Sequence, residues 1–532
     1  MFFRYDNISG VTYYNTSNKV NLDYQNYSVQ KVVWVPMVPV YDATRGGYYL
    51  QPFICPFNRC RDYKLQRPET PKATITITAI GKYENNWCNQ LDNGDAVIFK
   101  DFLKNKGWNI AIEHYDQNVT PQDFLTAGAT SDILYHSGHG GEDGTFPLYP
   151  SNKLLGWKDF YVLSRTKIFF MMTCYILGVN DWARVLRSGA HHILGYNLPS
   201  SDITDNDIIK EFLGKCYGEG GIATKKIVDA WEFVNTSYQE PWTVISHSGN
   251  RDDYMIGVAQ GLTKDITGLK DIIRTTSSGT EILQLIEPTS EGISSYYEVQ
   301  VEQEKLNFVD VAEGLTTGVP ELKENEFFKA KTSTDGQSNV YVYPSGAIIY
   351  EGIRNRNEFK GTSDDAIKIA EQFVRMKGGG LPDDAFLAEV IPQEEQNAGS
   401  KVKKVTGYIV IFKHKIDGVE IDGISGDSIK VLVDNNGGSY MFRVWRDIKA
   451  KKLKIGKPPV DSKAAILAAE DYYHQIMKTT EPPTLQNKKI VYFSKSFKEV
   501  QTNLPLAWKI TLSGRNIFVD AQTGLILSTP KS

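Results

Sequence analysis

The sequence predicts an α/β protein with a doubly wound sheet, followed by α+β modules. Three observations predict it. Two apolar runs, Ile133-Leu-Tyr135 and Ile168-Phe-Phe-Met-Met172, each stop abruptly at polar residues. Such runs read as strands buried on both faces. Strand-type and helix-type patterns alternate from Thr74 to Tyr196. After about Thr263 the texture changes, and a unit of one helix and several short strands occurs twice.

A chain of 532 residues predicts two to four domains. The boundaries are set at 1–72, 73–262, 263–360, 361–460 and 461–532 from these shifts of pattern. With 41% hydrophobic and 23% charged residues the composition is that of an ordinary globular protein. A net charge of −4 excludes the strongly basic surface of a nucleic-acid or membrane-surface binder. The longest apolar run, Ile168–Val179, is far short of the roughly 20 residues that span a bilayer. The start, Met-Phe-Phe-Arg-Tyr-Asp-Asn, lacks a basic n-region and an apolar h-region, which points to the cytoplasm. A mature chain outside the cytoplasm would read the same.

In order, residues 1–72 form a β-rich extension. Its segment Lys31–Tyr41 carries Pro36 and Pro39, which demote it to an edge strand or extended arm. Thr74–Ile80 alternates β-branched residues and predicts a strand. Asp95–Lys106 predicts a helix with Ala96, Phe99, Phe102 and Leu103 on one face, stopped by Gly107. Trp108–Ile112 is a strand, Pro121–Leu125 starts a short helix, and Ile133–Tyr135 is the next strand. Asn152–Leu163 has mixed polarity and room for a crossover helix before the Ile168 strand. Asp181–Arg187 is a helix capped by Asn180 or Asp181 and ended by Gly189, and His191–Tyr196 is a strand.

Farther on, Val340–Tyr350 predicts a hairpin about Pro344-Ser-Gly346. Ser363–Val374 is a helix with Ala366, Ile369, Ala370 and Phe373 inward, followed by strands Tyr408–Phe412 and Ile429–Val433. Ser462–Met477 repeats the helix, with Ala465, Ala468, Ala469, Tyr472 and Ile476 inward. Strands Ile490–Phe493, Leu506–Leu512 and Ile517–Val519 follow it. Lys449–Lys454, followed by Pro458-Pro459, reads as a solvated basic linker.

A strand–crossover–strand unit makes parallel neighbours whose carboxyl ends share one sheet edge, where ligands of open α/β sheets bind. That brings His139 and Cys174 together. A thiol is a poor nucleophile until an imidazole takes its proton or holds the thiolate. Gly140-Gly141 lets the backbone approach a substrate, and the N–H groups of Gly140 and Cys174 can face an oxyanion. The loops Glu84–Asn93, Glu142–Phe146 and Asn197–Asp207 are the expected pocket walls. Asp202 and Asp205 in the last are candidates to select a basic residue beside the scissile bond. A solvated loop and helix cap is the other reading. His136 and His139 form an H-x-x-H, but residues three apart on a strand face opposite ways, so no metal or other cofactor is expected. His191 and His192 read as structural for the same reason. Five cysteines do not make a disulfide scaffold, although Cys55 and Cys60 are close enough to bridge; Cys174 is expected as a thiol.

The order of these residues resembles the caspase–gingipain–clostripain–legumain group, whose caspase-hemoglobinase fold ends one strand in His-Gly and the next in the catalytic Cys. The resemblance covers roughly Ala73–Gly261. Within the group the chain is most similar to a bacterial branch, through Asn86-Trp87, Ser137-Gly-His-Gly140, Trp182-Ala183 and Ala190-His-His-Ile-Leu-Gly-Tyr196. It departs from caspases and legumains in placing Met172-Thr173 before the Cys. The resemblance implies a cysteine endopeptidase with a His139–Cys174 dyad, a thioacyl intermediate and a protein or peptide substrate. The alternative is an inactive protein of the same fold that binds partners. Leu504-Pro-Leu-Ala-Trp-Lys-Ile510 and Phe518-Val-Asp-Ala-Gln-Thr-Gly524 resemble PepSY-type modules over roughly 361–532. That resemblance implies modules that bind the peptidase domain, as inhibitor or folding aid, or bind another protein.

Overall fold

The structure, a computed structural model, describes residues 11–14, 19–22, 37–42, 47–52, 73–83, 91–149, 153–160, 165–200, 202–260, 272–277, 295–317, 321–397, 402–424, 426–477, 482–513 and 515–527. The chain divides into two compact units, Met1–Pro71 and Lys72–Ser532. In the first, Val11–Tyr14 pairs with Lys19–Leu22, and Met37–Asp42 with Gly47–Pro52, both antiparallel. Val38, Val40 and Tyr41 of the expected edge strand lie in the second hairpin. Lys31–Pro36 falls outside the described residues.

The second unit is mixed α/β. Its sheet runs Asn109–Tyr115, Thr74–Ala79, Ile133–Ser137, Ile168–Met172 and His192–Gly195, all parallel. Thr243–His247 and Ile272–Ser277 then add antiparallel. Alternation along each strand sends one set of side chains to each face. On one face Ile75, Ile77, Tyr135 and Phe170 meet Phe99, Phe212 and Trp231 from the helices Gly94–Asn105, Asp202–Tyr217 and Ile227–Tyr238. On the other, Leu134, Phe169, Met171 and Ile193 meet Phe124, Phe160, Trp182 and Leu186. Burial on both faces explains why Ile133–Tyr135 and Ile168–Met172 are apolar throughout. The first helix stops where Gly107 turns at φ +89°, as expected. Thr120 and Asp123 form a capping box for the helix Pro121–Thr130.

Three local expectations are corrected. Among the described residues of the crossover before Ile168 there is no α-helix. Leu154–Gly156 pairs with Thr145–Pro147, and a 3₁₀ turn at Trp157–Phe160 follows. A tight turn at Gly144 (φ +75°), with Asp143 accepting from the Thr145 N–H at 3.0 Å, folds the segment back before a helix can start. Asn180–Ser188 is 3₁₀ rather than α, with Val179 at its cap position, and it ends at Gly189 as expected. The supposed linker Lys449–Lys454 lies inside the strand Arg446–Ile455, paired along its length with Ser295–Gln303. Lysines on the outermost strand of that sheet are wet but ordered, so composition alone misread them.

The remaining expectations concern the C-terminal half. The hairpin pairs Asn339–Val342 with Ile348–Glu351 about Gly346 at φ +88°. The helix Ser363–Lys377 is capped by Thr362 and buries Ala366, Ala370 and Val374, with Ile369 and Phe373 half-buried beside them. The helix Ser462–Met477 buries Ala465, Ala469 and Tyr473, with Ala468 and Tyr472 half-buried against the same core. The sheet does not stop between the halves. Ile272–Ser277 pairs with Ala385–Asn397, which pairs with Lys403–Ile416 and on to Ser428–Asp434 and Gly437–Val444. Lys403–Ile416 also branches through Val419–Gly423 to Leu485–Ser494, Leu506–Leu512 and Arg515–Asp520.

Buried charges join the halves as well. Arg354 grips Glu232 with two bonds, at 3.1 and 3.2 Å, and Asp434 with a third at 2.8 Å. All three side chains are fully buried. Among the described residues no helix is long and apolar enough to cross a membrane.

His136 sits in the core, its Nδ1 3.0 Å from Thr78 Oγ1 and its ring 4.5 Å from that of Phe146. Burial lowers its pKa to about 3. The unfolded chain therefore binds a proton that the folded one refuses. The stabilising effect is complete above about pH 6.5 and is lost as pH falls towards 3. His136→Leu is expected to remove about 3 kcal/mol of the wild type's loss between pH 7 and 4, measured by urea unfolding at both pH values. Thr78 keeps a bond to the Tyr135 carbonyl, 3.2 Å, in that variant.

Candidate active site

The register of two parallel strands builds the site. Ser137 pairs with Met172, so His139 and Cys174 each stand two residues past the end of the ladder, on the same edge. The Gly138 N–H donates to the Met172 carbonyl at 3.2 Å and carries the pairing one step further. A Cβ on Gly140 would run into the Cys174 carbonyl oxygen and lie 3.1 Å from Thr173 Cβ. Only glycine lets these two turns cross so closely. His139 and Cys174 line one pocket, together with Asp92, Asp95, Ser200, Asp205, Asn206 and Arg515.

Each member of the pair is held from behind. The Cys174 thiol is half-buried and not in a disulfide. Its sulfur accepts the Ser200 N–H at 3.4 Å and lies 3.9 Å from the Ser200 carbonyl, to which the thiol donates. The chain turns sharply after it, with Tyr175 in the left-handed region at φ +60°. A bulky residue pays for that conformation with about 1 kcal/mol of strain. The His139 N–H donates to Tyr83 Oη at 3.1 Å, and the two rings lie 5.3 Å apart. Tyr83 is fixed in turn through Asp116, whose carboxylate accepts the N–H groups of Gly81 and Lys82 at 2.8 and 2.9 Å.

The carboxylates of the pocket are built in. Asp95 begins the helix Gly94–Asn105, is 2% exposed, and accepts from Tyr135 Oη at 2.6 Å. Asp205, in the first turn of Asp202–Tyr217, accepts from Tyr196 Oη at 3.3 Å. Helix N-termini favour carboxylates. Burial, reinforced by the neighbouring Asp charges, pushes the hydroxyl pKa of both tyrosines far up, so they remain donors.

Of the residues expected from sequence, His139, Cys174 and Asp205 thus share the pocket. Gly140 lies against the Cys174 turn. The backbone of Asp202 starts the helix, and its side chain lies outside the described residues. Asp207 points elsewhere and pairs with Lys498 at 3.3 Å. The Glu142–Phe146 loop does not line the pocket: its Gly144 carbonyl accepts the Trp182 indole N–H at 2.9 Å. Glu84–Gln90, with Asn86-Trp87 and Cys88, falls outside the described residues, as do Cys55 and Cys60. His136 is buried away from the pocket. Among the described residues no group of His, Cys, Asp and Glu is arranged to hold a metal ion. His191 and His192 do share a partner after all. His191 precedes the strand, so both rings reach Asp253, at 2.9 and 3.5 Å, in a buried structural cluster.

Sequence reasoning missed Tyr83, Asp95 and Arg515, whereas Ser200 lies in the Asn197–Asp207 loop expected as a pocket wall. Asp95 carried a signal, an acidic residue opening a helix directly after a named wall loop. The others carried none. Tyr83→Phe, which deletes the acceptor for the His139 N–H, is expected to lower kcat by about tenfold with KM within about twofold, in steady-state kinetics on a cleaved peptide.

No family model matches this chain, and neither does any curated protein. Among solved structures it is similar to the Arg-specific cysteine proteinase gingipain R, at 12% identity and a TM-score of 0.27, over 44% of this chain and 56% of that one. It is similar to YycH from Bacillus subtilis at 12% identity and a TM-score of 0.26, over 59% of this chain and 83% of that one. The Bacillus megaterium YpeB C-terminal domain matches at 15% identity and a TM-score of 0.21, over 42% of this chain and 96% of that one. None of these scores reaches the level of a shared fold.

Proposed function

We propose that this chain is a cysteine endopeptidase on a caspase-hemoglobinase-like doubly wound sheet spanning residues 73–262, with PepSY-like modules at 361–460 and 461–532. The observation that carries the reading is that His139 and Cys174, at the ends of adjacent parallel strands, line one pocket. His139 takes the thiol proton, and the Cys174 sulfur attacks the scissile carbonyl. The backbone N–H groups of Gly140 and Cys174 receive the oxyanion. His139 returns the proton to the leaving amine, and water then hydrolyses the thioacyl intermediate. Asp205, with Asp95 and Asp92 on the same pocket, selects a basic side chain beside the bond.

The test is a peptide-library cleavage profile of the full chain. Cleavage after Arg or Lys, absent in Cys174→Ala, is the expected result. No cleavage by folded wild type would leave the alternative, a binding protein that keeps the sheet edge without its chemistry.

A further inference from the structure

The C-terminal half carries a second cleft, of about 540 Å³, that shares no lining residue with the Cys174 pocket. Sites for small ligands typically measure about 300–1,000 Å³. The cleft is lined by the turn between the strands Gly437–Val444 and Arg446–Ile455 and by residues 379–382 and 384, after the helix Ser363–Lys377. Trp445, 3% exposed, is held there by the His414 ring stacked on it at 4.6 Å. Two of the charges on the cleft cancel. Arg443 grips Glu304 through Nη2 and through Nε at 2.9 Å, and its Nη1 donates to the Gly378 and Gly380 carbonyls at 3.1 and 2.6 Å. Arg446 is not used up in this way. It is 2% exposed, and its Nη1 donates to Asp427 and to Ser494 Oγ, the latter at 2.7 Å. Its Nη2 is buried and has no acceptor among the described residues. Two further carboxylates line the cleft. Asp384 is exposed and lies 2.8 Å from His414 Nε2, and Asp447 is half-buried and accepts the Lys305 N–H at 3.3 Å.

We propose that this cleft binds a free α-amino acid with an apolar side chain. Arg446 Nη2 takes the carboxylate, and Asp384 and Asp447 take the ammonium group. Trp445, Leu381, Pro382 and Ile448 cover the side chain. A charged donor buried without an acceptor is costly, and a ligand carboxylate removes that cost. An anion alone would be repelled by Asp384 and Asp447, and an amine alone would leave Arg446 Nη2 unmet. A molecule with both charges on one carbon answers both demands. The site is independent of the peptidase reading, because His139 and Cys174 take no part in it.

The experiment is isothermal titration calorimetry of the full chain with L-leucine and L-phenylalanine, then with the amide and the N-acetyl derivative of each. Saturable binding of at least one of the two amino acids, with a Kd at or below about 1 mM, is expected. Its amide, which lacks the carboxylate, and its N-acetyl derivative, which lacks the ammonium group, should each bind about tenfold or more weakly. Arg446→Lys keeps a cation for Asp427 but removes Nη2, and should weaken binding about tenfold. Asp384→Asn combined with Asp447→Asn should do the same. Both positions of that pair are at least partly exposed, so it decides the outcome if thermal melts show that Arg446→Lys does not fold. Cys174→Ala should bind as wild type does. Binding of neither amino acid overturns the proposal, as does equal binding of either derivative. So does binding that the paired Asn variant leaves unchanged or that Cys174→Ala removes.

Discussion

Replacing Cys174 or His139 by alanine abolishes peptide cleavage, by on the order of 10⁴-fold or more, and the double replacement is no worse than either single one. That non-additivity is the mark of two groups acting as one. Without His139 the thiol has no base, and without Cys174 the base has nothing to activate. Melting temperatures of the variants should change little, because both side chains are half-exposed at a strand edge and support no core. A chelator leaves wild-type activity intact. Loss of activity on chelation, restored by zinc, would overturn the assignment, as would an additive double mutant.

The second large effect is on stability. Arg354→Met is expected to destabilise the protein by about 3–5 kcal/mol, measured by denaturant unfolding. The substitution leaves Glu232 and Asp434 buried with their strongest partner gone. Glu232 retains Arg356 at 2.6 Å, so the loss falls mainly on Asp434 and on the helix Ile227–Tyr238. Replacing all three by apolar residues of similar volume should recover much of the loss, since burying charge is itself costly. A fall below about 1 kcal/mol for the single variant would show that water reaches the cluster. The same network makes a chain cut near Gly261 a poor isolated domain, because Glu232 and Asp229 would lose Arg354 and Arg356.

The strands and the placing of His139 beside Cys174 were legible because they rest on local signals. Ile133–Tyr135 and Ile168–Met172 are apolar throughout, and a two-residue offset past each run sets His139 and Cys174 level. What was not legible depends on distant chain. Tyr83 matters only because Asp116 folds its loop towards His139. Arg515 is an ordinary turn-flanking arginine until the module around it docks. The Lys449–Lys454 strand has the composition of a linker, and its order comes from pairing with residues about 150 positions earlier. His191 and His192 were separated by an assumption of strand alternation that fails one residue before the strand begins.

The continuity of the sheet has a consequence for biogenesis. Lys225 donates to the Glu351 carbonyl across 126 residues of sequence, and Ser237 meets the Tyr440 hydroxyl across 203. At roughly 5–20 residues per second, about 10–40 s separate the synthesis of that last pair. Throughout that interval the helix Ile227–Tyr238, buried at every position in the finished protein, has the earlier sheet to cover one face but nothing of the later strands to cover the other. The nascent chain must wait with that second face uncovered, in need of a chaperone.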